Sequence, residues 1–197
     1  MKQAFEHEQR AKHVVIRRTI SSLADGFSFR VNASTEDEQL GWSQYVTLTL
    51  NLLEVYQTQQ AQFVFPAARN ITRNPRLLAV EESEHQMLHS MTRWWDAVRQ
   101  SSSGEGVARL TQQLVSDTKQ KFAALQGMMC SRGGHLEREA KVLTANFWRA
   151  SSVTEWDLKN INDAMHRVNP SIKRGPALAF FVMNLNDEVS YGLVISS

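Results

Sequence analysis

Residues 45–63 read YVTLTLNLLEVYQTQQAQF, and this stretch gives the clearest evidence of the fold. Its apolar and aromatic side chains recur every three or four residues, which is the period of one buried face of a helix. The spacing predicts a helix that begins after a cap at Ser34 or Thr35 and ends at Pro66. The predicted buried face consists of Tyr45, Leu48, Leu52, Tyr56, Gln60 and Phe63.

Several other segments show the same helical period. The first long one ends at a stop signal, Ala24-Asp25-Gly26, and the fourth is interrupted by Gly133-Gly134. Together the segments predict an all-α fold, with a four-helix bundle over residues 1–150 and a short C-terminal helical extension, 151–197, packed on it. The predicted helices cover residues 3–24, about 75–100, 107–148, 156–166 and 177–183.

Composition and charge exclude several classes of protein. The 197 residues include 22 Lys and Arg against 20 Asp and Glu, so the net charge of +2 predicts no nucleic-acid partner. No apolar run approaches the roughly 18 residues that a membrane span requires. A single cysteine allows no internal disulfide, and the polar N-terminal residues lack the apolar centre of a signal peptide. We therefore expect a cytoplasmic protein without a membrane partner.

Four polar side chains lie on predicted buried faces, where each needs a hydrogen-bonding partner or a metal ion. His13 lies three residues before Ile16, and His85 lies three before Leu88, on the first and third long helices. His135 and Glu139 lie four apart on the fourth, so both project from one face. Two histidines and one carboxylate around an ion with open positions are typical of non-haem Fe(II) sites.

The second long helix repeats the spacing of the fourth. When residues 56–64 are laid over residues 135–143, Tyr56 takes the position of His135 and Gln60 that of Glu139. The chain thus consists of two helical hairpins of one plan, in which the first has exchanged part of its polar set.

At these positions the sequence resembles the hemerythrin-like, or HHE cation-binding, family. Four stretches carry the resemblance, at residues 13–18, 63–66, 84–88 and 135–139. The resemblance implies a four-helix bundle that holds a non-haem di-iron centre and binds, senses or reduces dioxygen and related species. The metal ligands that it implies in this chain are His13, His85, His135 and Glu139.

The second helix departs from the family pattern, because Tyr56 and Gln60 replace its histidine and glutamate. Gln60 is neutral and a weak ligand for iron, whereas Tyr56 could bind Fe(III) as a phenolate. Tyr56 could instead be a core tyrosine whose hydroxyl bonds to Gln60 or to a histidine across the bundle. Three outcomes are open: a di-iron centre altered at Tyr56, a single metal ion, or a bundle that has lost its metal.

Other histidines compete for these roles. His7 lies opposite the apolar face of the first helix and is expected to face solvent. His89 lies one turn after His85 and could replace it as a ligand or support it. His166 is expected at the surface, and Glu54 and Glu137 are expected to be solvated.

The leading functional hypothesis is a redox enzyme that acts on dioxygen, peroxide or a small organic substrate at a non-haem iron centre. Tyr56 is its candidate catalytic residue, because an exchanged ligand opens coordination positions for a substrate. A second hypothesis is a module that binds or senses oxygen or iron without turnover. A third is a metal-free interaction bundle.

Overall fold

A computed structural model describes residues 2–26, 31–101, 110–151 and 153–168, and every regular element in these ranges is helical. The predicted all-α class is confirmed, whereas the hemerythrin-like bundle stays a prediction. The predicted helix at 177–183 lies outside the described residues. The α-helices are α1 (Lys2–Ser21), α2 (Glu36–Gln59), α3 (Phe65–Thr72), α4 (Ala79–Ser101), α5 (Gln112–Cys130), α6 (His135–Val142), α7 (Ala145–Ala150) and α8 (Glu155–Val168).

Helix α2 begins where the sequence predicts. The Thr35 side chain accepts a hydrogen bond from the backbone N–H of Glu38 at 3.2 Å. The Glu38 carboxylate in turn accepts one from the backbone N–H of Thr35 at 2.7 Å. This reciprocal capping box satisfies two backbone donors at the start of the helix.

The helical path does not end at Pro66, and that prediction is wrong. A π-helical turn, Gln60–Val64, follows α2, and the Phe65 N–H bonds to the Gln60 carbonyl five residues earlier. Proline lacks an N–H and is disfavoured inside a helix, but it is tolerated in a first turn. Because Pro66 lies in the first turn of α3, the chain continues helically to Thr72.

The fourth predicted helix is divided into α5, α6 and α7. Gly133 adopts a φ of +73°, a left-handed conformation that favours glycine, so the predicted interruption at Gly133-Gly134 is confirmed. The third predicted helix begins at Ala79 rather than at Pro75, because residues 75–78 form turns. None of the helices in the described ranges has the length and apolar character that crossing a membrane requires.

The predicted buried face of the second long helix is confirmed in part, because Leu52, Tyr56 and Gln60 are buried. Tyr45, Leu48 and Phe63 are only partly buried, whereas Val46 and Leu53 are almost wholly buried. Helix α2 contacts α1 and α4 and also α8, so it is covered on more than one side. A helix with several neighbours buries a wider face than a single stripe predicts.

Two apolar clusters form the core of the described residues. The first contains Ile16, Ile20 and Leu50 among others, and the second contains Phe65 and Trp148.

Helices α1, α2, α4 and α6 each carry polar buried residues in addition to their apolar ones. A subset of these residues, with Tyr56 on α2 and Gln60 directly after it, is called the polar layer below. The polar layer comprises Gln9, His13, Tyr56, Gln60, Glu81, His85, His135 and Glu139.

Candidate functional site

The four predicted ligands lie together in the polar layer. His13 on α1, His85 on α4, and His135 and Glu139 on α6 are all buried. His13 Nε2 and His135 Nε2 lie 3.4 Å and 3.7 Å from Glu139 Oε2, and the rings of His85 and His135 are 5.3 Å apart between centroids.

The other candidates of the sequence lie outside the polar layer. His7 and His89 are exposed, as is Glu54, and Glu137 is partly exposed. The side chain of His166 is not among those that the structure describes.

Tyr56 on α2 connects His13 on α1 with Glu139 on α6. Its hydroxyl donates a hydrogen bond to Glu139 Oε2 and lies 3.0 Å from His13 Nε2. A tyrosine hydroxyl has one proton, so Nε2 of His13 is the donor in the second bond. The interpretation of Tyr56 as a core tyrosine bonded to a histidine across the helices matches this geometry.

The charge state of this trio follows from its surroundings. Burial, followed by the negative charge of Glu139, raises the pKa of Tyr56 well above its usual value, so the phenol keeps its proton. Burial alone would raise the pKa of Glu139, but the neighbouring His13, whose Nε2 lies 3.4 Å from Oε2, followed by His135 and the hydrogen bond from Tyr56, lowers that pKa overall. Glu139 is therefore a fully buried carboxylate, and its Oε1 has no hydrogen-bond partner in the described part of the chain.

His135 is bonded on one side only. Its Nδ1 lies 2.8 Å from Glu84 Oε2, which also accepts a hydrogen bond from Arg138 Nη2 at 2.6 Å. Arg138 further donates through Nε to Glu81 at 2.8 Å and through Nη1 to the Gly133 carbonyl at 2.8 Å. The Nε2 atom of His135 is buried without a partner among the described residues.

Neither ring nitrogen of His85 has a hydrogen-bond partner within the ranges that the structure describes. The His85 ring stacks on Phe65, with centroids 5.6 Å apart and planes 19° apart. Burial, and next the neighbouring His135, lower the pKa of His85 to about 4. At neutral pH the imidazole is therefore uncharged and carries one free lone pair.

Gln60, at the position where the resemblance implies a glutamate, bonds to α1. Its Nε2 donates to Gln9 Oε1 at 2.7 Å, while Oε1 of Gln60 and Nε2 of Gln9 have no partner among the described residues. Gln9 lies one turn before His13, and Gln60 lies one turn after Tyr56. The amide pair thus extends the polar layer by one turn between α1 and the segment after α2.

Glycine is required where α6 begins. A Cβ atom on Gly134 would lie 2.8 Å from the backbone oxygens of both Met128 and Ser131. Because backbone atoms cannot move aside cheaply, only glycine fits at the residue before His135. Local packing of the glycine loop thereby fixes the start of the helix that carries His135 and Glu139.

Sequence reasoning did not single out Glu84, Arg138, Glu81 or Gln9 as parts of the site. Glu84 precedes His85 in the chain, and Arg138 lies one turn after His135. A charged residue beside a predicted buried one is usually solvated, so neither position stood out. Their roles depend on the contact between α4 and α6, which the sequence of either helix alone does not specify.

The donor atoms are close, but they are not arranged around one point. Among the residues that the structure describes, no three His, Cys, Asp or Glu side chains are grouped so as to hold a metal ion. The bonds from His13 to Tyr56 and from Tyr56 to Glu139 occupy atoms that a cation would use.

Comparison with protein-family models, curated proteins and solved structures finds no match to this chain. The resemblance to the hemerythrin-like family therefore stays a prediction.

Proposed function

We propose that this chain is a hemerythrin-like non-haem iron protein, with its long helices arranged as a four-helix bundle, and that it acts as a redox enzyme on dioxygen, peroxide or a small organic substrate. The iron ligands are His85, His135 and Glu139. His13 and Tyr56 belong to a second, weaker position beside them. The proposal is supported by the donor chemistry of the layer, because imidazole and carboxylate are typical ligands of non-haem iron.

The observation that carries the proposal is a set of four buried polar atoms without hydrogen-bond partners in the described part of the chain. They are Nδ1 and Nε2 of His85, Nε2 of His135 and Oε1 of Glu139. Roughly nine in ten of the buried polar groups in proteins are hydrogen-bonded, so unpartnered imidazole and carboxylate atoms in one layer support the proposal of a missing partner. A cation binds the lone pairs of imidazole and carboxylate and compensates the buried carboxylate charge.

Binding of iron at the second position requires a rearrangement. The Nε2 atom of His13 carries a proton toward Tyr56, so this atom must give up that proton before it can act as a ligand. Gln60 adds no charge, and its amide is held by Gln9. One tightly held ion, with at most a weak second one, is the composition that this donor set favours.

The residues around the proposed ion have different chemical roles. Iron held by His85, His135 and Glu139 would supply redox chemistry and a place for the reacting species to bind. The Tyr56 hydroxyl donates to Glu139 Oε2 and accepts from His13 Nε2, so it would be the proton donor beside the Glu139 ligand. The burial of Tyr56, His135 and Glu139 excludes bulk water from these groups.

Metal analysis tests the proposal directly. Protein produced with iron is expected to retain about one ion per chain, and His135→Ala and Glu139→Gln are expected to lose it. His89→Ala is the matched control, since His89 is exposed on the same helix as His85. A parent protein that retains no iron and takes up none on anaerobic titration with Fe(II) contradicts the proposal.

The second candidate is a metal-free bundle, and the hydrogen bonds among His13, Tyr56 and Glu139 favour it. These bonds satisfy part of the layer without any ion. In that case a chelator leaves the thermal unfolding temperature unchanged. For an iron protein, the same treatment lowers it, because a ligand that binds only the folded state stabilises that state.

A further inference from the structure

The contact between His135 and Glu84 determines which nitrogen of His135 carries the proton. Glu84 Oε2 accepts from Arg138 Nη2 at 2.6 Å and lies 2.8 Å from Nδ1 of His135. A carboxylate bonded to a guanidinium is an acceptor, so Nδ1 of His135 must donate. In its neutral form His135 has one N–H, which the Glu84 contact places on Nδ1, and Nε2 of the neutral ring therefore presents a lone pair.

That lone pair points into the polar layer. Nε2 of His135 is fully buried, has no hydrogen-bond partner among the described residues, and lies 3.7 Å from Glu139 Oε2. The opposite tautomer would place an N–H at this atom and a lone pair against the Glu84 carboxylate. The hydrogen bond to Glu84 excludes that arrangement.

Arg138 holds Glu84 in position. Its guanidinium bonds to three groups at once: Glu84 and Glu81 on α4, and the Gly133 carbonyl just before α6. The side chains of Glu84 and Arg138 are 20% and 34% exposed, whereas that of His135 is 0% exposed. Arg138, Glu84 and His135 thus form a chain from the surface to the buried layer.

We propose that Glu84, anchored by Arg138, is a positioning residue that fixes the tautomer and ring orientation of His135. This inference rests on the proposed function in one respect, that the exposed lone pair serves a metal ion. Outer carboxylates of this kind orient histidine ligands, and their loss costs about 10- to 100-fold in metal affinity. A merely structural ion pair between α4 and α6 would affect stability without affecting the tautomer.

The first measurement is the tautomer of His135 in chelator-treated protein, from ¹⁵N chemical shifts of the imidazole nitrogens at alkaline pH. His135→Gln assigns the signals. The parent protein is expected to carry the proton on Nδ1, and Glu84→Ala is expected to give the Nε2–H form or a mixture. Glu82→Ala is the control, because it breaks an ion pair of the same helix, with Arg69 at 2.6 Å, away from His135.

The second measurement is the affinity for Fe(II) and Zn(II) by competition with a chelator. Glu84→Ala is expected to bind about 10- to 100-fold more weakly than the parent, and Glu82→Ala equally well. Arg138→Met is a second variant, which leaves Glu84 in place without its anchor. It is expected to keep the tautomer and to weaken binding by a smaller factor.

The two measurements separate the proposals. An unchanged tautomer in Glu84→Ala, or a parent protein protonated on Nε2, overturns the positioning role. Unchanged metal affinity in both Glu84→Ala and Arg138→Met overturns it as well, while leaving the iron site intact. A parent protein that binds neither metal overturns the proposed function, and the tautomer measurement still decides the role of Glu84.

Discussion

The hydroxyl group of Tyr56 donates a hydrogen bond to Oε2 of Glu139, which lies 83 residues later in the chain. This bond joins Tyr56, where the hemerythrin-like resemblance implies a histidine, to Glu139, which the same resemblance implies as a metal ligand. It takes up one of the two oxygens of Glu139 and leaves the other without a partner among the described residues. Tyr56 therefore occupies Oε2 of Glu139, and it would compete with a cation for that atom.

Removal of the Tyr56 hydroxyl tests this competition. Tyr56→Phe is expected to lower the free energy of unfolding of the chelator-treated protein by about 1–3 kcal/mol, because a buried carboxylate loses a donor. The same change is expected to tighten Fe(II) and Zn(II) binding by about tenfold, since a hydrogen bond to a charged group contributes about 1.5–3 kcal/mol. Urea unfolding and chelator competition measure the two effects.

Tyr45→Phe is the control for Tyr56→Phe, because Tyr45 lies on the same helix, three turns before Tyr56. Weaker metal binding in Tyr56→Phe would contradict competition and would indicate that the Tyr56 oxygen is itself a ligand.

Introduction, on the second helix, of the two residues that the hemerythrin-like resemblance implies is expected to create a second iron position. The double variant Tyr56→His with Gln60→Glu adds one imidazole and one carboxylate to the layer. We expect iron content to rise from about one to about two ions per chain, and the metal-free protein to become less stable because a new buried charge lacks a partner.

Gln62→Glu is the control for this double variant, since it makes the same change of charge at an exposed position two residues from Gln60. An iron content that stays at or below one ion per chain in the folded double variant would contradict the expected second position.

The fold was predictable to the extent that it depends on local pattern. Apolar spacing located the helices, and the sequence at Thr35 and at Gly133-Gly134 correctly marked a start and an interruption. Pro66 led to a wrong prediction of a helix end, because the π-helical turn Gln60–Val64 places it in the first turn of α3. Such a turn depends on how Gln60 and Val64 pack in the folded protein, and local helix propensity does not predict that packing.

The site was predictable only where polar residues interrupt an apolar face. His13, His85, His135 and Glu139 stand out on that basis, and the structure brings them together, although their metal role stays a prediction. Glu84 and Arg138 were missed because their side chains are partly exposed and neither interrupts an apolar face. Their pairing becomes visible only when α4 and α6 are in contact.

The glycine before α6 is expected to control the geometry of the site. Gly134→Ala places a Cβ atom 2.8 Å from two backbone oxygens, so the start of α6 must shift. We expect a loss of about 1–3 kcal/mol in the free energy of unfolding, as for other overpacked positions, together with weaker metal binding because His135 moves.

Gly127→Ala is the matched change for Gly134→Ala. Gly127 lies inside α5, where an added Cβ atom would have no described heavy atom within 4 Å outside its own helix backbone and chain neighbours. Alanine is therefore expected to stabilise the protein by about 0.5–1 kcal/mol. Urea unfolding and chelator competition of both variants provide the check, and equal metal affinity in Gly134→Ala and the parent would contradict the expected shift of His135.

A double-mutant cycle can measure the coupling energy between the buried amides of Gln9 and Gln60. Gln9→Met and Gln60→Met singly are each expected to cost about 1–3 kcal/mol, because each leaves the other amide buried without its 2.7 Å partner. The double variant replaces both amides with apolar groups of similar size, and it is expected to be nearly as stable as the parent. Urea unfolding of the four proteins measures the coupling. Additive losses would contradict the pairing and would indicate that each amide is satisfied separately, by ordered water or by a bound polar molecule in the layer.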